Sequence, residues 1–226
     1  MGKIKSFSAV LLIFSCVHLF SQETEALKTF KECRNLLFKG EAGDTGAVEK
    51  AIDALSKLMS ADPNLALAKV FLGTAYNLKS KAENELWEKM KWVQKGIALQ
   101  DQAVKIVPDN IWARMERGAN NLRLPPFFNR LTLAKEDFDY LVNGIETKPD
   151  AYILNAEGSP IYLEKNDNPR DFILKTKQCV YYNAGEVYEK MQHIDKAKEF
   201  WEKAVSMGAA TKYGKKAGER LNGQGK

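Results

Sequence analysis

Between Tyr182 and Val205 the chain reads YNAGEVYEKMQHIDKAKEFWEKAV, with small and aromatic residues at regular intervals. Ala184, Gly185 and Tyr188 fall on one face of a helix, and Ala197, Trp201 and Ala204 form a second face with the same period. The segment MQHID interrupts the pattern between them. Two amphipathic helices folded back on each other require this arrangement: small residues let the two axes approach, and aromatic rings fill the space on either side. Any helical hairpin would show as much once, so the constraint comes from recurrence.

The spacing does recur. Gly73 and Tyr76 in VFLGTAY repeat the small-then-aromatic step, with Pro63 ten residues before Gly73 and Pro108 ten before Gly118. Ala51, Leu55 and Leu58 stand 12, 8 and 5 residues before Pro63, and Gly96 and Ala103 stand 12 and 5 before Pro108. This is the grammar of a helix-turn-helix repeat closed by proline. On these residues the chain resembles the tetratricopeptide repeat family, whose unit of about 34 residues carries a small residue, aromatic, Ala, aromatic, Ala and closing Pro at such offsets. The resemblance covers most of residues 24–210 as about four units and implies an all-α, right-handed superhelical solenoid of helical hairpins.

Departures from the family pattern are local. Gly73 to Pro108 is 11 residues longer than Gly185 to Ala209, so the helix holding Trp87 and Trp92 is expected to be extended. Gln100 and Asn121 stand where aromatics belong, and LRLPPFFNR lengthens a turn before Ala134 and Phe138. Between Pro149 and Asn168 no repeat is legible, which marks residues 149–169 as an irregular insertion. Asn168 and Pro169 read as the cap and first turn of a new helix. The tail KYGKKAGERLNGQGK reads as a helix capping the last repeat.

The N-terminus, MGKIKSFSAVLLIFSCVHLFSQE, has two lysines, an apolar run and then polar residues. That is the layout of a secretory signal peptide over residues 1–21, followed by a single repeat domain over 22–226 with no membrane span after cleavage. MGKIKS also matches a myristoylation pattern, and Cys16 in LIFSC offers a bacterial lipid-attachment site beside ordinary cleavage near Ser21. The expected location is therefore periplasmic, with a lipid anchor at Cys16 as the alternative. Losing Lys3 and Lys5 would lower the formal charge from +5 to +3.

Four of the seven arginines lie between Arg114 and Arg130, enough for a local basic face but not for the dense, aromatic-interleaved stripe of a nucleic-acid binder. His193 is the sole histidine beyond residue 21, and it sits in the turn of the last hairpin. A zinc site or a Cys-His nucleophile would have to combine it with Cys33, Cys179 or carboxylates. Both cysteines instead read as small packing residues, at opposite ends of a solenoid and too far apart to bridge. EKNDNPRD lacks the glycine and terminal glutamate of a calcium loop, and no phosphate-binding glycine loop or serine elbow is present. No catalytic residue, metal or cofactor is expected.

The resemblance implies a non-catalytic scaffold that binds a protein or peptide partner, in an envelope or membrane-transport complex. In the family the first helix of each unit lines the concave surface. Carried over, the groove residues are Val70, Thr74 and Asn77 in the second unit, Met115, Ala119 and Leu122 in the third, and Tyr182, Glu186 and Glu189 in the fourth, with Asn183 beside them. This lining is apolar in the middle and acidic at one end, which suits an apolar segment flanked by basic residues. A transporter accessory holding a solute or lipid between solenoid and insertion is the alternative. Trp87 and Trp92 either meet a partner or pack on the insertion, and Phe127 and Phe128 of LPPFF are expected to plug the solenoid edge.

Overall fold

A computed structural model describes residues 25–162 and 168–223, and the signal-peptide and Cys16 expectations lie outside them. Among the described residues the chain is all helical. Helix α1 covers residues 25–41 and is followed by α2 (Thr45–Ala61), α3 (Ala66–Ala82), α4 (Leu86–Ile106), α5 (Ile111–Arg123) and α6 (Leu131–Thr147). Two single turns come next, α7 (Ala151–Leu154) and α8 (Ser159–Tyr162), then α9 (Pro169–Lys190), α10 (Ile194–Ser206) and α11 (Lys212–Leu221). The pairs α3–α4, α5–α6 and α9–α10 are packed hairpins, α2 packs on α3, and α11 packs on α9 and α10, while Gly40 of α1 closes on Val48 of α2. No described helix is long and apolar enough to cross a membrane.

Helix boundaries follow from side-chain caps. Asp44 accepts from the Ala47 amide, Asn110 from the amides of Trp112 and Ala113, Asn168 from Arg170, and the Thr211 hydroxyl from Gly214, each satisfying a donor the first turn leaves open. Pro169 occupies the first turn of α9, where its missing N–H costs nothing. Asp62, just before Pro63, is extended, as the residue before a proline must nearly be, and α2 ends there. The lengthened turn LRLPPFFNR contains a short 3₁₀ turn, Pro126–Phe128, closed by Asn129 in the left-handed region at φ 53°.

The small residues act where the hairpins are tightest. A methyl placed on Gly73 would meet the Gly96 carbonyl at 2.8 Å, and one on Gly96 would meet the Gly73 carbonyl at 2.7 Å, so α3 and α4 touch backbone to backbone. Gly118 faces the Phe138 ring and Gly185 faces Trp201 in the same way. Gln100, where an aromatic is missing, is buried and donates to Thr74 Oγ1 at 3.3 Å. One apolar core then runs from Phe30 of α1 to Ala217 of α11, with a smaller cluster of Ala66, Val70, Ala103, Val104 and Ala113 joining α3, α4 and α5.

The 149–169 insertion does not interrupt the stack, because α6 packs directly on α9. It folds instead onto the first helices. Tyr162 stacks on Trp112 at 4.1 Å with 16° between the planes, and lies 6.0 Å from the Phe71 ring. Trp112 donates its indole N–H to Ser159 Oγ at 3.0 Å, Asn110 donates to the Glu157 carbonyl at 3.1 Å, and Arg34 donates to the Ile161 carbonyl at 3.1 Å. Hence α1 touches a segment 127 residues onward, which a solenoid with contacts only between neighbouring repeats does not allow.

Among the described residues the insertion packs on Trp112, not on Trp87 or Trp92. Trp92 lies 5.1 Å from Tyr76 and donates to Glu83, with Lys79 and Lys95 each 4.5 Å from its ring, and Trp87 is 64% exposed. Phe127 is 68% exposed, so it presents its ring to solvent and does not plug the edge. The arginine cluster is likewise mostly internal wiring. Arg117 makes two hydrogen bonds to Asp137, at 2.8 and 2.7 Å, Arg114 adds a third at 3.0 Å, and Arg130 pairs with Asp101 at 2.5 Å.

Candidate functional site

The inner face of the stack encloses a hollow of about 590 Å³. Five segments build it: Arg34, Phe38 and Glu41 from α1, Trp112 to Arg123 from α5, Tyr162 from the insertion, Phe172 to Lys190 from α9, and Lys212, Tyr213 and Lys216 from α11. First helices supply most of the wall, the insertion closes part of the floor, and the capping helix supplies one rim. Thus α1 and α11, at the two ends of the stack, border the same space. Lys190 donates to the Leu122 carbonyl at 2.6 Å and ties α9 to α5 beneath the hollow.

The predicted groove residues divide. Met115, Ala119, Leu122, Tyr182, Asn183 and Glu186 all border this hollow. Thr74 and Asn77 border a neighbouring one of about 450 Å³, which shares Glu41 and Arg123 with the first. Val70 borders neither hollow: it is fully buried against α4 and α5, because the long α4 and the Ala103 to Ala113 turn cover that part of α3. Glu189 lies off the hollow and pairs with Arg220 at 3.3 Å. Asn183 is buried and donates to the Cys179 carbonyl at 2.7 Å and to its sulfur at 3.4 Å, so its amide is already used within α9.

The charge of the lining is the reverse of the sequence expectation. Arg34, Arg123, Lys175, Lys190, Lys212 and Lys216 face three acids, Glu41, Glu116 and Glu186. The acidic end seen in the sequence is consumed by Arg220, which pairs with Glu186 at 2.9 Å and with Glu189, and so holds α11 onto α9. Residue-by-residue carry-over could not include Lys212 and Lys216, because they lie outside the repeat pattern. The basic tail and its periodicity were the only signal for them.

Glu116 sits at the floor. It accepts from the Tyr162 hydroxyl at 3.1 Å, and Thr74 Oγ1 lies 3.4 Å from its other oxygen, while Asn120 donates to Thr74 at 3.1 Å. Burial pushes its carboxyl above the ordinary glutamate range, and the Tyr162 hydrogen bond and the Arg123 charge only partly oppose the rise. An acid whose folded pKa is raised disfavours the folded state once it ionises, so this penalty is absent below the unfolded pKa and grows as pH rises through the folded one. Glu116→Gln is therefore expected to raise the unfolding midpoint at pH 7 and to match the wild type under acid conditions below the glutamate range. Thermal unfolding of both proteins against pH checks this; a gap that widens toward low pH would contradict it.

The thiols are poorly placed for nucleophilic chemistry. Burial pushes Cys33 up to about 11, and burial also raises Cys179 at the edge of the hollow, so both are protonated at neutral pH. Both are free, and Cys33 packs in the core as a small apolar residue. His193 is exposed in the α9–α10 turn, edge-on to Tyr188 at 6.1 Å.

Residues 180–207 match the family model described as tetratricopeptide repeat. The matched span holds the second half of α9 and all of α10, including the contact of Gly185 with Trp201. No curated protein matches the chain.

Proposed function

We propose that the chain, whose residues 180–207 match the tetratricopeptide repeat model, is a non-catalytic scaffold which holds a protein or peptide partner in the hollow between α1, α5, α9 and α11. The observation that carries this reading is a concave, half-open space walled by the first helices of successive hairpins, with apolar side chains inside and charges at its rim. The repeat itself suggests a protein-interaction scaffold. The proposal further places the protein in a bacterial envelope, exported by residues 1–21 and cleaved near Ser21 without lipid on Cys16, serving an envelope or membrane-transport complex.

Reversing charge at Glu186 and Glu189 is not a clean probe of the hollow, because both hold Arg220 and with it α11. Ala119→Phe is better: Ala119 borders the hollow and is partly exposed, so a phenyl ring fills the space with little change to the core. Crosslinked capture from envelope extract is expected to lose its partner with Ala119→Phe, while the circular dichroism and unfolding midpoint stay close to wild type. Intact mass of the same preparation reports the mature N-terminus. If Ala119→Phe captures the same partner as well as wild type while Trp87→Ser or Phe127→Ser abolishes capture, the binding face is the exposed turn edge and the hollow is not the site.

A second reading draws on Tyr162. By closing the floor it makes the space more enclosed than an open groove, which suits a transporter accessory that holds a solute or lipid there. A small molecule retained stoichiometrically by the purified protein, and absent from Ala119→Phe, is the result that favours it.

A further inference from the structure

We infer that the partner segment is acidic and carries a large apolar residue that enters the hollow beside Met115 and Tyr213. This rests on the reading of the hollow as the partner site and specifies its chemistry. Lys175, Lys212 and Lys216 are exposed at its border, and among the described residues none of them pairs with a carboxylate. Lys212 lies 5.5 Å from the Tyr213 ring and Lys216 lies 5.7 Å from the Tyr182 ring, so each ammonium is held near an aromatic face at the rim. The acids that border the same space are mostly committed. Glu186 pairs with Arg220, and Glu116 is at the floor beneath the Tyr162 hydroxyl, which leaves Glu41 of α1.

Cations that share one border repel one another to the extent that salt, with a screening length of about 8 Å, allows, and an acidic segment removes that repulsion while it gains attraction from each. The interior supplies the other half of the match. Met115 and Ala119 are partly exposed there, and the Tyr182 and Tyr213 rings stand 5.7 Å apart, so an aromatic or long aliphatic side chain finds apolar contact on several sides. The cations come from α11 and from the start of α9, not from the positions at which a first helix reads its ligand by repeat register. A space of about 590 Å³ closed below by Tyr162 admits a few side chains, which favours a peptide over a polynucleotide.

The test uses the full mature chain and fluorescent peptides of about a dozen residues: one rich in Asp and Glu around a single Phe, one with the acids replaced by Lys, and one acidic without Phe. The acidic peptide with Phe is expected to bind, to weaken about tenfold between about 50 mM and about 300 mM salt, and to lose about tenfold in the triple variant Lys175→Gln, Lys212→Gln, Lys216→Gln. The peptide lacking Phe is expected to bind more weakly, and Ala119→Phe to abolish binding. These lysines are exposed, so the variant keeps its fold, and single changes at Lys212 and Lys216 give a smaller loss of the same sign. Tighter binding of the Lys peptide, or no change in the triple variant, overturns the acidic assignment. If the Lys peptide binds and Ala119→Phe blocks it, the hollow remains the partner site and only its charge preference is wrong. If an oligothymidylate binds as tightly as the acidic peptide, the peptide assignment fails. If wild type binds none of these probes, the acidic assignment fails, and only capture of a natural partner that Ala119→Phe abolishes keeps the hollow as the site.

Discussion

Replacing Asp137 with asparagine is expected to cost about 3–5 kcal/mol. Asp137 on α6 has no accessible side-chain surface, and Arg117, itself buried, meets it through two hydrogen bonds while Arg114 adds a third. Burial pushes the Asp137 carboxyl upward and the two guanidiniums oppose the rise. Asparagine keeps the shape and removes the charge, which leaves Arg117 buried against a neutral amide. For a chain of this length the midpoint should fall by roughly 10 °C. The loss comes from a buried cation left with only the longer pairing to the half-exposed Asp101 at 3.5 Å, not from a missing favourable pair, so Asp137→Leu combined with Arg117→Met should recover much of it. Equilibrium unfolding in urea of the single and double variants decides this; a double variant less stable than Asp137→Asn would show that the pair itself stabilises α5 against α6.

The second large effect is expected at Gly185. A methyl there would lie 2.2 Å from the Trp201 indole nitrogen and 2.5 Å from its neighbouring ring carbon. Trp201 is buried, and its N–H donates to the Tyr182 carbonyl at 3.3 Å, so the ring cannot step aside without losing a hydrogen bond. Overpacking of this kind costs about 1–3 kcal/mol, and occasionally more. Alanine returns about 1 kcal/mol of helix propensity. With a ring this confined the net is expected to be a loss of about 2 kcal/mol. Trp201→Phe in the same chain removes the indole nitrogen, the nearest clashing atom, and makes the ring smaller, so the two changes together should be less harmful than their separate costs imply, by about 1 kcal/mol. A Gly185→Ala protein as stable as wild type would mean that the hairpin has more room than the close approach of α9 and α10 indicates.

Both effects trace to features of different legibility. The Gly185 contact is written in the local sequence, because a helical hairpin brings residues 185 and 201 together through a short turn and the period of 3.6 alone says which faces meet. Asp137 gave no such signal. The arginines from 114 to 130 read as a local basic face, with nothing in the spacing to pair them with an acid on the next helix. Their pairing across α5 and α6 depends on side-chain reach and on which face of each helix the lengthened LRLPPFFNR turn brings inward, and neither is periodic.

The hairpin helices, the Asn168 cap, the contacts of Gly118 with Phe138 and of Gly185 with Trp201, and the extended α4 were determined by the sequence itself, because each depends on residues close in the chain and follows a local pattern that one strand of text displays. Of the nine groove residues taken from the same register, five border the hollow, as does Asn183 beside them. The hollow's charge and shape were decided by tertiary structure alone. The insertion carries no period, so nothing local says that Tyr162 will stack on Trp112 and close the floor. Arg220 lies 34 residues from Glu186, and only when α11 folds back over α9 does it cancel the acidic end and bring Lys212 and Lys216 to the rim. Electrostatic partners are chosen by proximity in space, with no preferred separation along the chain, so a reading of composition and spacing finds the scaffold and misses the sign of the surface it encloses.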